Sequence, residues 1–497
     1  MTSMAHGERA EQVGPRARMS PTQFWLLLLV VAAVAVGIRV TAVRSVPHTP
    51  ANVYALPAGE GFYYLQASRL LAETGEYGYR DPAGEVQPDA LHPPLFTTVL
   101  AIGNLLGVEQ VDDVRLLSCA LGVATTVLVG LAGRRMLTPA TGIVAAGIVA
   151  LSPAFWLYER NVNAEAVTFT LIAATILLAY RYWHRPGLWR CVALGGVGGL
   201  LALARAEQAV CVAIIVLVLV VATPDLDLRG RLARVGAAAA AGLVVIAPWT
   251  VYNLGRFEQP VLLSAGSGNA MSAGACDTTF DGDLLGSFDN SCIIVRASLD
   301  QRADRTVQDA AQRAEAIDFT RARAGRLPIV VAAREGRTWG LYRVADQIEL
   351  HAAALDAPAS LVWVQTVAFW ASVPLAVCGA VLLRRRRIPL TPLLAFPAVA
   401  ALTVAVTFGD IRYRAPADVP LVLLVAAAVV LLATRLGETR GQRRSDQVPA
   451  ERLDDARGPV LALDLDGDDH GRLDPALDVL DLRELGATPD AGPDRHR

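Results

Sequence analysis

Apolar runs separated by short polar links make up most of the 497 residues. They lie at Phe24 to about Val43 and near 116–133, 139–157, 163–181, 190–204, 207–223 and 234–251, then near 361–383, 389–408 and 417–434. A helix needs roughly 18 to 22 such residues to cross hydrocarbon. The pattern therefore predicts an all-α polytopic membrane protein with about ten transmembrane helices. A further apolar run, Leu95–Val108, is short and reads as a re-entrant or interfacial helix.

The polar segments divide the chain. The first loop, 44–94, contains a polar, aromatic stretch from Pro57 to Pro94. Glu60 opens a helical pattern there, with Tyr63, Tyr64, Ala67, Leu70 and Leu71 recurring at i, i+3, i+4 spacing. Gly75 is placed to stop that helix, and His92-Pro93-Pro94 stiffen the return to an apolar run. The largest soluble segment, between Tyr252 and Pro358, opens Gly/Ser-rich and continues into amphipathic patterns near 305–323 and 328–350. Beyond Gly437 the chain is acidic, Pro/Gly-punctuated and poor in aromatics, as disordered tails are. The expected organisation is a cytoplasmic tail (1–22), a transmembrane core (23–254) including the extracytoplasmic loop 44–94, an extracytoplasmic region (255–359), C-terminal transmembrane helices (360–436) and a disordered cytoplasmic tail (437–497).

Composition agrees: 53% of residues are hydrophobic and 19% charged, against about a quarter charged in soluble domains. The net charge of −2 says little, because the charges are segregated along the chain. Apart from histidine every basic residue is Arg, a compositional bias, and no basic stripe with interleaved aromatics suggests nucleic acid. The first run lacks a clear cleavage site and reads as a retained helix. Arginines before it, with Arg134-Arg135, Arg181 to Arg190, Arg229 to Arg234, Arg384 to Arg387 and those after Arg435, all fall on one side of the ten-span topology. By the positive-inside rule that side is cytoplasmic, with both termini. Cys119, Cys191, Cys211 and Cys378 lie in or beside apolar runs and read as small hydrophobes. Cys276 and Cys292 lie close together in the long polar loop, where a disulfide would require an oxidising compartment. Asp464, Asp466, Asp468 and Asp469 lack the glycine and closing glutamate of a calcium loop and read as a solvated tail.

The unusual ionisable residues collect on the opposite, outer side: Glu60; Glu159, Arg160 and Glu165; Arg205 and Glu207; Asp410, Arg412 and Arg414. Charge in hydrocarbon costs a few kcal/mol per group, so these residues should line one wet cavity at the outer leaflet. A carboxylate there can take a proton from a hydroxyl, and arginine forks can hold a phosphate. No cluster has metal-ligand spacing, so neither a metal nor a cofactor is expected.

These residues resemble a family. Glu60 with Tyr63 and Ala67, His92-Pro93-Pro94-Leu95, Leu151-Ser152-Pro153 followed by Tyr158 and Glu165, Leu203 to Glu207, Pro248-Trp249-Thr250 with Asn253, and Arg412-Tyr413-Arg414 with Pro416 occur in the order found in C-type glycosyltransferases. The likeness is to the protein O-mannosyltransferase and aminoarabinose-transferase branch and covers about 57 to 420. Gly59 stands where many members carry Asp, and Tyr252 where Arg is usual. The resemblance implies inverting transfer of a sugar from a polyprenyl-phosphate donor to an acceptor hydroxyl, at the extracytoplasmic face of a bacterial plasma membrane. It implies Glu60 as general base and Glu165 as orienting acid. It also implies Arg205 with Arg412 or Arg414 on the phosphate, His92 as a structural or donor contact, and Tyr63, Tyr64 and Glu207 in the acceptor or sugar pocket. The acceptor could be glycan, lipid or protein.

Other readings stay open. Glu60 and Glu165 also suit helix N-termini, Arg205 and Glu207 can pair with each other, and Arg412 and Arg414 can mark a membrane edge. The competing function is a transporter or flippase for lipid-linked sugars. Against it, the charges sit at span ends and no internal repeat is visible. A scaffold or sensor is the third possibility.

Overall fold

The computed structural model describes residues 19–46, 60–81, 83–295 and 304–446. The expectations for residues 1–18 and 447–497, including the aspartates at 464–469, fall outside these. The chain divides into two units, Met1–Gly437 and Glu438–Arg497, and the helix bundle with its candidate site belongs to the first.

The molecule is helical and multi-pass. In chain order the elements are α1 (Pro21–Arg44), α2 (Glu60–Thr74), β1 (Gly78–Arg80), β2 (Val86–Pro88), α3 (Leu95–Leu105), α4 (Val111–Met136), α5 (Pro139–Leu151), α6 (Pro153–Glu159), α7 (Glu165–His184), α8 (Leu188–Ala204), α9 (Gln208–Val221) and α10 (Leu228–Asn253). The middle region holds α11 (Ser267–Ala273), α12 (Asp277–Phe280), α13 (Ser291–Val295), α14 (Arg305–Ala322), α15 (Leu327–Thr338) and α16 (Val344–Ala354). It is followed by α17 (Ala359–Arg385), α18 (Thr391–Val406), a 3-10 turn (Ile411–Arg414) and α19 (Ala415–Asp446).

Every apolar run read as a span contains a helix. Among the described residues six helical stretches, α1, α4, α7, α10, α17 and the 3-10 turn with α19 (Ile411–Gly437), are long and apolar enough to cross a membrane, and α5 with α6 makes a seventh if counted as one broken span. The helices at the other three runs, α8, α9 and α18, are shorter, at 17, 14 and 16 residues. The run 139–157 is not the single straight helix expected. It bends by 52° at Ser152-Pro153, where Pro153 cannot donate into the preceding turn and Ser152 instead caps the new helix through the Ala154 N–H. The amphipathic stretch 328–350 likewise divides into α15 and α16, with Gly340 and Arg343 at positive φ between them. The β1–β2 hairpin inside the first loop has no counterpart in the hydropathy pattern.

Small residues let the helices close. Gly195 and Gly199 of α8 lie so near Ala238 and Gly242 of α10 that a Cβ at Gly195 would stand 1.9 Å from the Ala238 carbonyl oxygen. Gly379 of α17 meets the Leu424 carbonyl of α19 at 2.0 Å in the same sense. α4 and α7 run parallel: Thr125 bonds Thr170 at 2.9 Å, and His184 Nε2 lies 2.8 Å from the Arg135 carbonyl. Between them α5 and α6 return, and Phe155, Tyr158, Phe169, Ile172, Ile215, Phe396 and Leu423 build a common core.

One polar pair lies deep in the helix bundle. Arg39 of α1 donates to Glu159 of α6 through Nε at 2.5 Å and Nη2 at 3.2 Å, both side chains fully buried. Gly122 of α4 leaves the room, since a Cβ there would stand 2.1 Å from the Glu159 carboxyl. Glu159 is thus a partner of α1 and no part of the outer cavity in which its sequence position placed it.

In the middle region Cys276 and Cys292 are joined in a disulfide with Cα atoms 6.2 Å apart. They also form, with Asp289, a grouping of potential metal ligands, but the sulfurs are bonded to each other. No arginine lies between the two cysteines, so non-reducing cleavage at arginine should yield both in one peptide, lighter by two hydrogens than the reduced form. Two free thiols in natively isolated protein would contradict the bond.

Candidate active site

Four elements far apart in sequence bring two carboxylates and two guanidiniums together. Glu60 is the first residue of α2, which packs on α3 through Tyr64, Leu65, Phe96 and Leu100. Glu165 is the first residue of α7, where a carboxylate suits the positive end of the helix dipole. Arg205 sits in extended backbone just past α8. Arg412 lies in the 3-10 turn before α19, whose start is capped by Asp410: its Oδ1 accepts the Arg412 backbone N–H at 2.7 Å.

The Arg412 guanidinium is shared. Its Nη2 donates to Glu60 Oε2, its Nε to Glu165 Oε1, and Nη2 also reaches Glu165 Oε2 at 3.2 Å. Arg205 Nη2 donates to the same Glu165 Oε1. Exposure grades across the cluster: the Glu165 side chain is 1% exposed, Arg205 17%, Arg412 27% and Glu60 32%. Glu165, spanned by two guanidiniums and closed off, is the internal counter-ion. Glu60 is the acid with an open side, and therefore the one a substrate can touch.

Burial opposes charge on Glu60, but the Arg412 guanidinium beside it outweighs that and holds its carboxyl well below the usual carboxylate range. A folded-state value below the unfolded one contributes stability that is full above the ordinary carboxylate pKa and is lost as pH falls through the lowered value. For a reaction that needs Glu60 ionised, the acidic limb should lie below pH 4.5, the unshifted value. Arg412→Gln should move that limb upward; a limb unchanged in that variant would show that Arg412 does not set the charge of Glu60.

An aromatic wall adjoins the acid. His92 lies edge-on to Tyr63 at 4.9 Å between ring centroids and tilted on Tyr64 at 5.3 Å, and Tyr64 meets Phe96 at 4.9 Å. Burial pushes the His92 imidazole below its ordinary value, with Glu60 partly opposing. Asp89 holds the approach to His92 by accepting the Ala90 and Leu91 N–H groups at 2.8 and 3.0 Å. Glu207 stands at the rim, 3.9 Å from Arg205.

The structure thus gathers Glu60, Glu165, Arg205 and Arg412, with His92, Tyr63 and Tyr64 alongside. It does not bring Arg414 to them. At three residues per turn, positions 412 and 414 of a 3-10 turn point in different directions. Arg414 is buried with its guanidinium 3.9 Å over the Phe369 ring and 3.8 Å from Asp418. Arg160 also leaves the cluster and donates to the Asp356 carbonyl after α16. Tyr252, in place of the usual basic residue, accepts the Tyr77 N–H at 3.0 Å, and Arg256 stacks on its ring at 4.3 Å. Sequence reasoning passes over Arg39, whose signal is present: an arginine inside an apolar run marks an intramembrane partner. It also passes over His351, which nothing in its local pattern distinguishes.

Residues 91–252 match the family model described as dolichyl-phosphate-mannose-protein mannosyltransferase. The fold is shared with the Archaeoglobus fulgidus oligosaccharyltransferase in complex with zinc and sulfate, at 14% identity and a TM-score of 0.51 over 82% of this chain and 49% of that one. The same archaeal enzyme tethered to an acceptor peptide containing the NVT sequon matches at 14% identity and a TM-score of 0.50, over 88% of this chain and 53% of that one. The chain therefore spans about half the length of these solved structures. ArnT from Cupriavidus metallidurans bound to undecaprenyl phosphate overlaps more loosely, at 17% identity and a TM-score of 0.35 over 82% and 78% of the two chains. No curated protein sequence matches. The resemblance to the C-type glycosyltransferases holds in the family match and in the fold.

Proposed function

We propose that the protein is an inverting glycosyltransferase that moves a sugar from a polyprenyl-phosphate donor to an acceptor hydroxyl. The observation that carries this reading is Arg412 held between a closed-off acid, Glu165, and an open one, Glu60. The acceptor proton passes to the Glu60 carboxylate as the acceptor oxygen bonds the anomeric carbon. The sugar–phosphate bond breaks on the opposite face, and its electron pair stays on the phosphate oxygen. Negative charge therefore leaves Glu60 as it grows on the phosphate, and Arg412, with Arg205 beside it, can follow that charge. The half-buried rings of Tyr63 and His92, packed on the buried Tyr64, offer apolar faces to a sugar or acceptor. The description of the matching family, which names a dolichyl-phosphate-linked mannose, supports a lipid-linked donor.

In this reading the site works at the extracytoplasmic face of a bacterial plasma membrane, with both termini cytoplasmic. Glu165 opens α7 and His184 closes it beside Arg135, which separates the acid from this arginine-rich end by about 30 Å at 1.5 Å per residue. The experiment is to delete the protein and analyse lipid-linked sugars leaflet by leaflet. A transferase leaves a polyprenyl-phosphate sugar accumulating in the outer leaflet. Accumulation confined to the inner leaflet would favour a flippase, and no accumulation would reject the reading.

A further inference from the structure

The turn that carries Arg412 is also held by buried groups that transfer does not use. Asp410 caps it, and His351 of α16 faces Asp410, with Nδ1 3.9 Å from Oδ1. The other ring nitrogen, Nε2, lies 3.2 Å from the Tyr158 hydroxyl of α6. Both His351 and Tyr158 are about as buried as any side chain in the molecule, at 2% and 1% exposure. When Tyr158 donates to Nε2, the proton of the neutral ring sits on Nδ1, on the Asp410 side but 3.9 Å from its oxygen, longer than a hydrogen bond.

The rest of the contact surface supports the same turn. Asn161 Nδ2 donates to the Leu355 carbonyl at 2.7 Å, and with Arg160 on the Asp356 carbonyl it ties the α6–α7 link to the C-terminal end of α16. The Gly409 N–H donates to the Gly286 carbonyl at 2.8 Å, and Phe408 packs on Phe288 at 5.1 Å. Arg334 of α15 donates to the Ala405 and Gly274 carbonyls, both at 2.7 Å. A Cβ at Gly274 would stand 2.1 Å from the Thr407 carbonyl oxygen and one at Gly409 2.3 Å from that of Arg334. The chain from 405 to 410 is therefore gripped by the middle region, and His351 packs beside Asp410 at the end of that stretch.

We propose that His351 is a positioning residue for the transfer site: packed between Tyr158 and Asp410, on the helix whose Ile348 and Ala352 meet Ile411, it fixes the 3-10 turn that aims Arg412 at Glu60 and Glu165. Tyr158 and Asp410 adjoin the ring, and the charges of Arg414, Arg412 and Glu165 also act on it. Burial pushes the imidazole down to about 4, so near neutral pH the ring is uncharged, hydrogen-bonded to Tyr158 and packed beside Asp410 at 3.9 Å. Only the identity of what Arg412 binds rests on the function proposed above; its placement does not.

The placement can be read directly by labelling the purified protein with phenylglyoxal and following each arginine by mass spectrometry. In the wild type Arg412, clamped by two carboxylates, should react slowly. In His351→Ala its labelling should rise about five-fold or more, as for loss of about 1 kcal/mol of local order, while Arg205, which shares Glu165 from a different element, stays as it was. Tyr158→Phe and Asp410→Asn should move Arg412 in the same direction, and His351→Gln, which keeps both a donor and an acceptor, should restore most of the protection. Unchanged Arg412 labelling in His351→Ala and Asp410→Asn overturns the proposal. So does an equal rise at Arg205, which would mark general loosening. Undecaprenyl phosphate is the separate probe of function. If it fails to protect Arg412 in the wild type while His351→Ala still exposes that arginine, the donor reading falls and the positioning role stands.

Discussion

Glu60→Gln is expected to lower sugar transfer by about 10²- to 10⁴-fold, the range for loss of a general base, with the fold intact. The amide is nearly the same size, keeps a carbonyl oxygen for Arg412 and removes only the ability to accept the acceptor's proton. Affinity for the lipid-phosphate donor should be maintained or rise, because Arg412 is no longer shared with a charged Glu60. The measurement is single-turnover transfer with a synthetic polyprenyl-phosphate sugar, alongside donor binding. A variant that transfers at the normal rate would remove Glu60 from the base role. Glu165→Gln should behave differently. It strips the closed-off counter-ion from two guanidiniums, so the loss should appear in thermal stability as well as in rate.

The second large effect lies away from the chemistry. Arg39→Ala leaves Glu159 buried and unpaired among helices, and breaking a buried pair from one side typically costs about 3–5 kcal/mol. The protein in detergent should unfold at clearly lower temperature. Arg39→Met combined with Glu159→Leu should recover most of that loss, since a buried pair replaced by apolar groups of similar volume is often neutral or better. Gly122→Ala should mimic the single change, because its methyl would overlap the Glu159 carboxyl. If Arg39→Ala melted like the wild type, the pair would contribute nothing to holding α1 against α6.

Periodicity and run length are enough to place the helices. Glu60 through Thr74 and its stop at Gly75, with φ of 77°, follow from local spacing and from the one residue type that takes that backbone angle freely. The broken helix at Ser152-Pro153 and the divided stretch at Gly340 are legible in principle from a proline and a glycine. Hydropathy averages over both, so each reads as one smooth run. The candidate acids and arginines can be named because charge at the end of an apolar run is costly and therefore conspicuous.

Their pairing cannot be read in the same way. Arg412 lies 352 residues from Glu60, and nothing local says that it turns toward Glu60 while Arg414, two positions on, turns to Phe369. Glu159 and Glu165 look equivalent on one short link, yet one meets Arg39 and the other meets Arg205 and Arg412. His351 sits on an ordinary amphipathic helix until packing brings it to Tyr158 and Asp410. Burial and short-range periodicity are properties of a segment, so one chain in hand reveals them. Which charge neutralises which depends on directions set by helix packing, and those exist only once the bundle has closed.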